Sequence, residues 1–427
     1  MLVSPSKGLT TEDEKMDRCK LRVNGRRLRN TLEEMAKIGT TPGGGVERLS
    51  LSDADRDARN LFLQWLHEIH VETTIDEIGN IFGRRPGREN HLSPVLAGSH
   101  IDSQPKGGRF DGILGVMGAL EVFRTLEENG IVTRRPMVIV DWTNEEGSRF
   151  TPAMTGSGVW TGKLGLDWAY QRTDLHGKKL GDELARIGFK GNQAVRSFPV
   201  HAYFELHIEQ GPILEREGKT IGVPKGIVCI HWYDVIVEGE SNQTGPTPME
   251  NRHDALCTAA EMILKVNALP RRMGGNMVAT VGEIHNEPNS RNIIPGKVRF
   301  TLDIRSWDDA LVERAAKDLF QDFEQISQRR GCPFQVKEIW RIEHAAFDEK
   351  LTRRIWDIAG RLGYSRLSMV SGAGHDASYM NQIAPTAMIF VPSIGGRSHV
   401  EVENTHWEDC ESGTNVLLHA ILETADE

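Results

Sequence analysis

Four short stretches of this chain carry residues that could share one piece of chemistry: GSHIDSQPKGGRFDG (98–112), NEEGSRF (144–150), FELHIEQG (204–211) and GGRSHVEVE (395–403). Between them they offer His100, Asp111, the adjacent pair Glu145 and Glu146, His207 and His399. Singly each is ordinary, because a histidine at a strand end is usually just hydrogen-bonded and a Glu-Glu pair just solvated. Brought together they exceed what a structural zinc uses, since such a site takes four ligands and is typically cysteine-rich. They suit two divalent ions about 3.5–4 Å apart, bridged by a carboxylate. Asp111 is expected to bridge, and Asp102, two residues past His100, to orient its imidazole. Of the two glutamates one must bind metal while its neighbour stays free to take a proton from water; the residues alone leave open which. Zn, Mn, Co and Ni all accept such a donor set.

Each stretch follows a short apolar run, at 95–98, 137–142, 203–206 and 387–391. Runs that are apolar without alternation predict strands buried on both faces, in a mostly parallel sheet covered by helices on both sides. Open sheets of this kind place their sites at the carboxyl ends of the strands, where the four stretches begin. Between the first two runs Ile113, Val116, Met117, Leu120 and Phe123 recur at helical spacing, closed by Gly130, which makes one βαβ unit. Another helix is expected around Leu28, Leu32, Met35 and Ile38, after a loose leader over residues 1–16. Between these parts the order changes. Strands at 232–237, 277–281, 298–304 and 334–340 and helices at 254–266 and 311–327 give β-α-β-β-α-β, the pattern of a small ferredoxin-like α+β domain. The expected division is therefore a catalytic α/β domain over 1–224 and 345–427 with an inserted domain at 225–344.

The composition excludes several classes. With 427 residues, 39% of them hydrophobic, the chain can bury a large core. No apolar run approaches the ~20 residues that span a bilayer, and Glu12, Asp13, Glu14, Lys15, Asp17 and Arg18 are unlike a secretory signal. A cytoplasmic protein without a membrane partner is expected. The five cysteines are scattered and form no CxxC pair, which fits reduced thiols rather than a disulfide framework. A net charge of −9 without a long single-sign block offers no nucleic-acid groove.

The four stretches, together with GPTPM (245–249), EPNSRNIIPG (287–296) and SGAGHDA (371–377), resemble the hydantoinase/carbamoylase family of metal-dependent amidohydrolases, in the family's order and over roughly residues 90–405. The resemblance implies hydrolysis of the carbamoyl C–N bond of N-carbamoyl-L-amino acids or N-carbamoyl-β-amino acids. It implies metal ligands at His100, Asp111 (bridging), Glu146, His207 and His399, with Glu145 as general base. It further implies that Gln210 touches the carbamoyl end of a small substrate, that Asn292 and Arg305 hold its free carboxylate, and that the inserted domain acts as a lid and joins two copies in a homodimer. An arginine fork suits a carboxylate. Gly395, Gly396 and Ser398 lie on the loop before His399, where backbone N–H groups could grip an anion, and His375 and Asp376 are expected to face the pocket. One position departs from the pattern. Family members usually carry a histidine just before GPTPM, which reaches into the partner subunit's site and helps stabilise the developing oxyanion; here Gln243 stands in its place. Glutamine can donate a hydrogen bond but cannot be cationic. Either this is a variant tuned to another substrate, or a deliberately weakened one, or a loop shift lets a group such as His231 substitute. Rival readings keep the scaffold and change the substrate to allantoate, a ureidoglycine, or an acylated amino acid or dipeptide; another is a catalytically silent metal-binding paralogue.

Overall fold

A computed structural model describes residues 19–196 and 198–427; the expected leader lies outside the described residues. The chain divides into two units. The first holds the chain through Lys225 together with Phe347–Met369 and His375–Glu427, the second Gly226–Ala346 and Val370–Gly374.

In the first unit β1 (Glu72–Ile75) and β2 (Ile81–Arg85) form an antiparallel pair at one edge of a mixed sheet. The apolar runs become β3 (Val95–His100), β4 (Met137–Trp142), β5 (Ala202–Ile208) and, near the end of the chain, β16 (Thr386–Val391), each buried along its whole length. They lie in the order β4–β3–β5–β16 and are parallel throughout. Antiparallel neighbours flank them: β2 beside β4, and β6 (Ile221–Ile227) beside β16. Such flanks carry no continuous apolar run, β1 being almost wholly exposed, so periodicity does not announce them. Helix α1 (Gly25–Met35) turns Leu28, Leu32 and Met35 inward. Ile113–Glu128 forms α3, which packs on β3 and β5 and is covered by α1 and by α7 (Trp407–Ala425). Because α3 is covered on both sides, nearly all of it is buried and apolar; each large apolar side chain enclosed there contributes about 1.5–3 kcal/mol.

Two features of this sheet prepare a site. From β3 the chain crosses to β4, whereas β5 lies on the other side of β3, so the carboxyl ends of β3 and β5 border a topological switch point. Their ladder covers only Val95↔Ala202 to Ala97↔Phe204, against six pairs between β3 and β4. Beyond it side chains replace the ladder: Ser99 Oγ donates to Glu205 Oε1 at 2.7 Å and Tyr203 Oη to the Gly98 carbonyl at 3.2 Å. Beneath the ends of β3 and β4 lies a buried ionic cluster. Arg59, on α2 (Asp53–Glu68), pairs with Asp55 at 3.0 Å and Asp141 at 3.7 Å, and Asp141 Oδ1 accepts the Ile101 N–H at 3.0 Å.

The second unit contains β7 (Cys229–Glu238), β9 (Val278–Thr280), β10 (Ile284–Glu287), β12 (Lys297–Ser306) and β13 (Phe334–Ile342), in an antiparallel sheet of order β10–β12–β7–β13 with β9 also on β12. Helices α4 (Ala255–Met273) and α5 (Asp309–Arg330) bury Val266, Leu269, Leu319 and Phe323 in a core of their own with Val235, Phe300 and Leu302. A two-stranded ribbon, β8 (Asn242–Gln243) with β11 (Ile293–Ile294), and the short β14 (Ala345–Ala346), paired with Gly226 and Ile227, complete it. Along the chain α6 (Glu349–Arg361) and β15 (Arg366–Ser371) precede the return to β16. Among the described residues no helix is long and apolar enough to cross a membrane.

Candidate metal centre

His100 ends β3 and His207 sits next to the end of β5, with ring centroids 6.1 Å apart across the switch point. Each ring is fixed by a carbonyl, which can only accept: Nδ1 of His100 lies 2.9 Å from the Asp102 carbonyl, and Nδ1 of His207 lies 2.9 Å from that of Ile208. Nδ1 therefore carries a proton in both, and Nε2 of each ring turns toward Asp111. Asp111 arrives on the turn into α3. That turn requires Gly112, whose φ is +68° and where a Cβ would lie 2.3 Å from the His100 ring.

Asp111 occupies the centre. Its Oδ1 is 3.1 Å from His207 Nε2 and 3.8 Å from His100 Nε2, while its Oδ2 is 3.3 Å from His399 Nε2. His399, half-exposed and held at φ +58°, lies in turn 3.4 Å from Glu146 Oε2. Two triads result, His100–Asp111–His207 and Asp111–Glu146–His399, each with ligand atoms within 4.8 Å of one another and with Asp111 common to both. Glu145 belongs to neither; its Oε2 stands 3.4 Å from His100 Nε2. The loop carrying both glutamates is set by Asn144, at φ +57°, whose amide donates to the Phe150 carbonyl at 2.7 Å and to Thr155 Oγ1 at 2.9 Å.

The electrostatics are those of crowded, buried carboxylates. Burial, then Asp376 and Glu146, drive Glu145 well above the usual carboxylate range. Glu146 rises to about 6, chiefly through burial. Glu146, followed by Asp111, lifts His399 to about 10. Burial alone would lower His207, but the hydrogen bond and charge of Asp111 outweigh it and hold the ring at about 9. His100 falls to about 4 because burial dominates; it is neutral, and its Nε2 lone pair faces Asp111 and Glu145. Gln210 Oε1 is likewise buried without a partner. Lone pairs aimed at one another in a buried cluster fit a divalent cation, and imidazole with carboxylate, lacking thiolate, is the donor chemistry of Zn, Mn, Co or Ni.

The remaining residues differ from expectation in several places. Asp102 meets His100 through its carbonyl rather than its carboxylate, whose nearest oxygen is 3.8 Å away; the carboxylate instead accepts the N–H groups of Glu145 (3.1 Å) and Glu146 (3.3 Å). It thus orients the glutamate loop. Gly395 and Gly396 do not offer free N–H groups to an anion, because Gly395 donates to Glu215 Oε2 and Gly396 to the Ser393 carbonyl, both at 2.9 Å. Ser398 turns its hydroxyl to Asp111 Oδ2, at 2.7 Å. Gln210 Nε2 donates to the same oxygen at 2.8 Å, and the His375 ring packs edge-on against His207 with centroids 4.5 Å apart. In the second unit Gln243 and Asn292 are neighbours: Gln243 pairs with Ile293, and Thr244 N donates to the Asn292 carbonyl at 3.1 Å. Both side chains are exposed. Arg305 is gripped by Asp303 of its own strand at 2.7–3.1 Å. His231 is buried, with Nδ1 on Tyr233 Oη at 3.1 Å, so it is not a loop group free to replace Gln243.

Residues missed from the sequence are Gln104, which donates to Glu146 Oε2 at 2.7 Å, and Glu403, buried beside Asp111 and pushed up to about 7, first by burial. Both stand inside the quoted stretches, at 104 and 403, yet neither follows a strand directly.

Residues 96–423 match the model of peptidase family M20/M25/M40. The chain is 44% identical over 405 residues to an N-carbamoyl-L-amino-acid amidohydrolase of Rhizobium meliloti, covering 95% of this chain and 97% of that one. It is 34% identical to an allantoate amidohydrolase of Bacillus subtilis strain 168, covering 96% of this chain and all of the relative. A crystal structure of an amidase of the hydantoinase/carbamoylase family from Burkholderia vietnamiensis superposes with a TM-score of 0.94 at 47% identity, over 96% of this chain and 99% of that one.

Proposed function

Since the chain belongs to peptidase family M20/M25/M40, among its hydantoinase/carbamoylase-type amidohydrolases, we propose that it removes the carbamoyl group from N-carbamoyl amino acids with the help of two divalent metal ions. It is a hydrolase of amide C–N bonds, and its relatives act on carbamoyl amides. The observation that carries the two-ion reading is the sharing of Asp111: one ion would be held by His100, Asp111 and His207, the other by Asp111, Glu146 and His399. When bound, such a pair lowers the pKa of the attacking water and polarises the ureido carbonyl. Glu145, buried and unshared, takes the proton of that water and returns it to the leaving nitrogen. Carbon dioxide, ammonia and the free amino acid leave. In the same reading Gln210 faces the carbamoyl end, Asn292 and Arg305 take the substrate carboxylate, with Arg305 exchanging Asp303 for it, and a homodimer forms through the second unit.

A substrate panel tests this. N-carbamoyl-α-amino acids, N-carbamoyl-β-alanine, allantoate, an N-acetyl amino acid and a dipeptide are assayed for ammonia and free amino acid. Ammonia from a carbamoyl substrate is expected; cleavage of the acetyl compound or dipeptide alone would overturn the reading. Allantoate is the second reading, favoured by the relative of that name.

In this reading Gln243 stabilises the developing oxyanion less well than the family's histidine would. Gln243→His restores a donor that can be cationic, and kcat on the best substrate is expected to rise by up to about 100-fold with KM little changed. An unaltered kcat would remove Gln243 from the machinery, and inertness of both proteins on every substrate would mark a silent paralogue.

A further inference from the structure

Glu403 touches none of the triads' ligand atoms, yet it joins the two loops that present them. Glu403 is 2% exposed. Oε1 accepts two backbone N–H groups at 3.0 Å, those of Phe110 and Asp111, on the turn between β3 and α3. Oε2 lies 2.9 Å from the hydroxyl of Ser398, which is 2.7 Å from Asp111 Oδ2 and precedes His399 in the chain. The hydroxyl has one proton, so it serves one carboxylate at a time. The fit is tight from the other side as well: at Gly108 a Cβ would meet the Glu403 carboxyl carbon at 1.9 Å. The His399 loop is closed on itself by the Ile394 N–H on the Asn404 carbonyl at 2.8 Å and by Thr405 Oγ1 on the Pro392 carbonyl at 2.6 Å. Ser398 and His399 of this loop meet the Asp111 side chain, whereas Glu403 holds the backbone of its turn.

We infer that Glu403 is a positioning residue for the ion at Asp111, Glu146 and His399, locking the bridging carboxylate and the His399 loop in one register. This rests on the two-ion reading above. The role is geometric and needs an acceptor for the two N–H groups and a hydrogen-bonding partner for Ser398 Oγ. Glutamine can supply them, with Oε1 for the two N–H groups and Nε2 donating to Ser398 Oγ, which then donates to Asp111. Alanine cannot, and aspartate, one methylene shorter, cannot reach both.

The test is titration of the chelator-treated full chain with Co²⁺, followed by calorimetry and by visible absorption, for the wild type and for Glu403→Ala, Glu403→Asp and Glu403→Gln. Urea unfolding of each metal-free protein is measured alongside. Expected are two ions for the wild type and Glu403→Gln. In Glu403→Ala and Glu403→Asp one ion should bind as before and the other about 10–100-fold more weakly, the scale on which partners of ligands act, with altered absorption. Should Glu403→Ala not fold, Ser398→Ala replaces it, with the weakening confined to the same ion. Two ions of wild-type affinity in Glu403→Ala, or Glu403→Gln as weak as Glu403→Ala, would overturn the inference. Failure of the wild type to bind two ions would instead remove the reading it rests on.

Discussion

Glu145→Gln is expected to lower kcat on a carbamoyl substrate by a factor on the order of 10³, the range of a positioned general base, while both metal ions stay bound. Glutamine keeps the volume and can still hydrogen-bond, but it cannot receive the proton of the attacking water or pass it to the leaving nitrogen. Metal should remain because Glu145 belongs to neither triad, although it approaches His100 Nε2 at 3.4 Å. KM should change little, since the lost interaction is made only in the transition state. The N–H of Glu145 still bonds to Asp102, so the loop keeps its place. Steady-state kinetics with metal analysis of the purified variant checks this. A variant with metal and a kcat within a few-fold of wild type would show that another group takes the proton.

Asp111→Asn is the second large effect and divides differently between binding and chemistry. Both oxygens of Asp111 are committed, Oδ1 toward His207 and His100 and Oδ2 toward His399, Gln210 and Ser398. An amide has one oxygen and no charge. Neither triad is complete without the carboxylate, and Gln210 Nε2 would face an amide nitrogen or lose its acceptor. The expected result is loss of both ions at concentrations that saturate the wild type and activity below detection. In the metal-free variant His207, which Asp111 holds at about 9, should titrate lower, readable by NMR of the ring protons. Retention of one tightly bound ion would show that Asp111 serves one site only.

Much of this arrangement was legible before any coordinates. The strands that carry the ligands are buried on both faces, so each appears as an uninterrupted apolar run, and a parallel sheet sends them to one edge. Polar residues gathered at one sheet edge mark His100, His207, His399 and the pair Glu145 and Glu146, while the resemblance and not the pattern singles out Glu146 as the ligand. Asp111 was found because RFDG opens a helix. What was not legible depends on contacts between distant loops. Glu403 lies 292 residues from Asp111, whose turn it holds, and nothing in the spacing of its stretch links the two. Gly395 and Gly396 resembled an anion-binding turn because composition cannot show that Glu215 and Ser393 already accept their N–H groups. Asp102 is expected to orient His100 and does so through its carbonyl; the spacing places it beside His100 without showing which of its oxygens faces the ring. At Arg305 the motif does not show that Asp303, two residues back on the same strand, takes its guanidinium.

The central claim is a two-ion cage built on Asp111, and metal stoichiometry linked to turnover tests it most directly. Protein stripped with chelator is titrated with Mn²⁺ or Co²⁺ while bound metal per chain and ammonia release from an N-carbamoyl amino acid are followed together. The account predicts no turnover in the stripped protein, two ions per chain at saturation, and activity that appears as the pair is completed. Full activity in metal-free protein, or activity complete at a single ion per chain with no second ion bound, would contradict it.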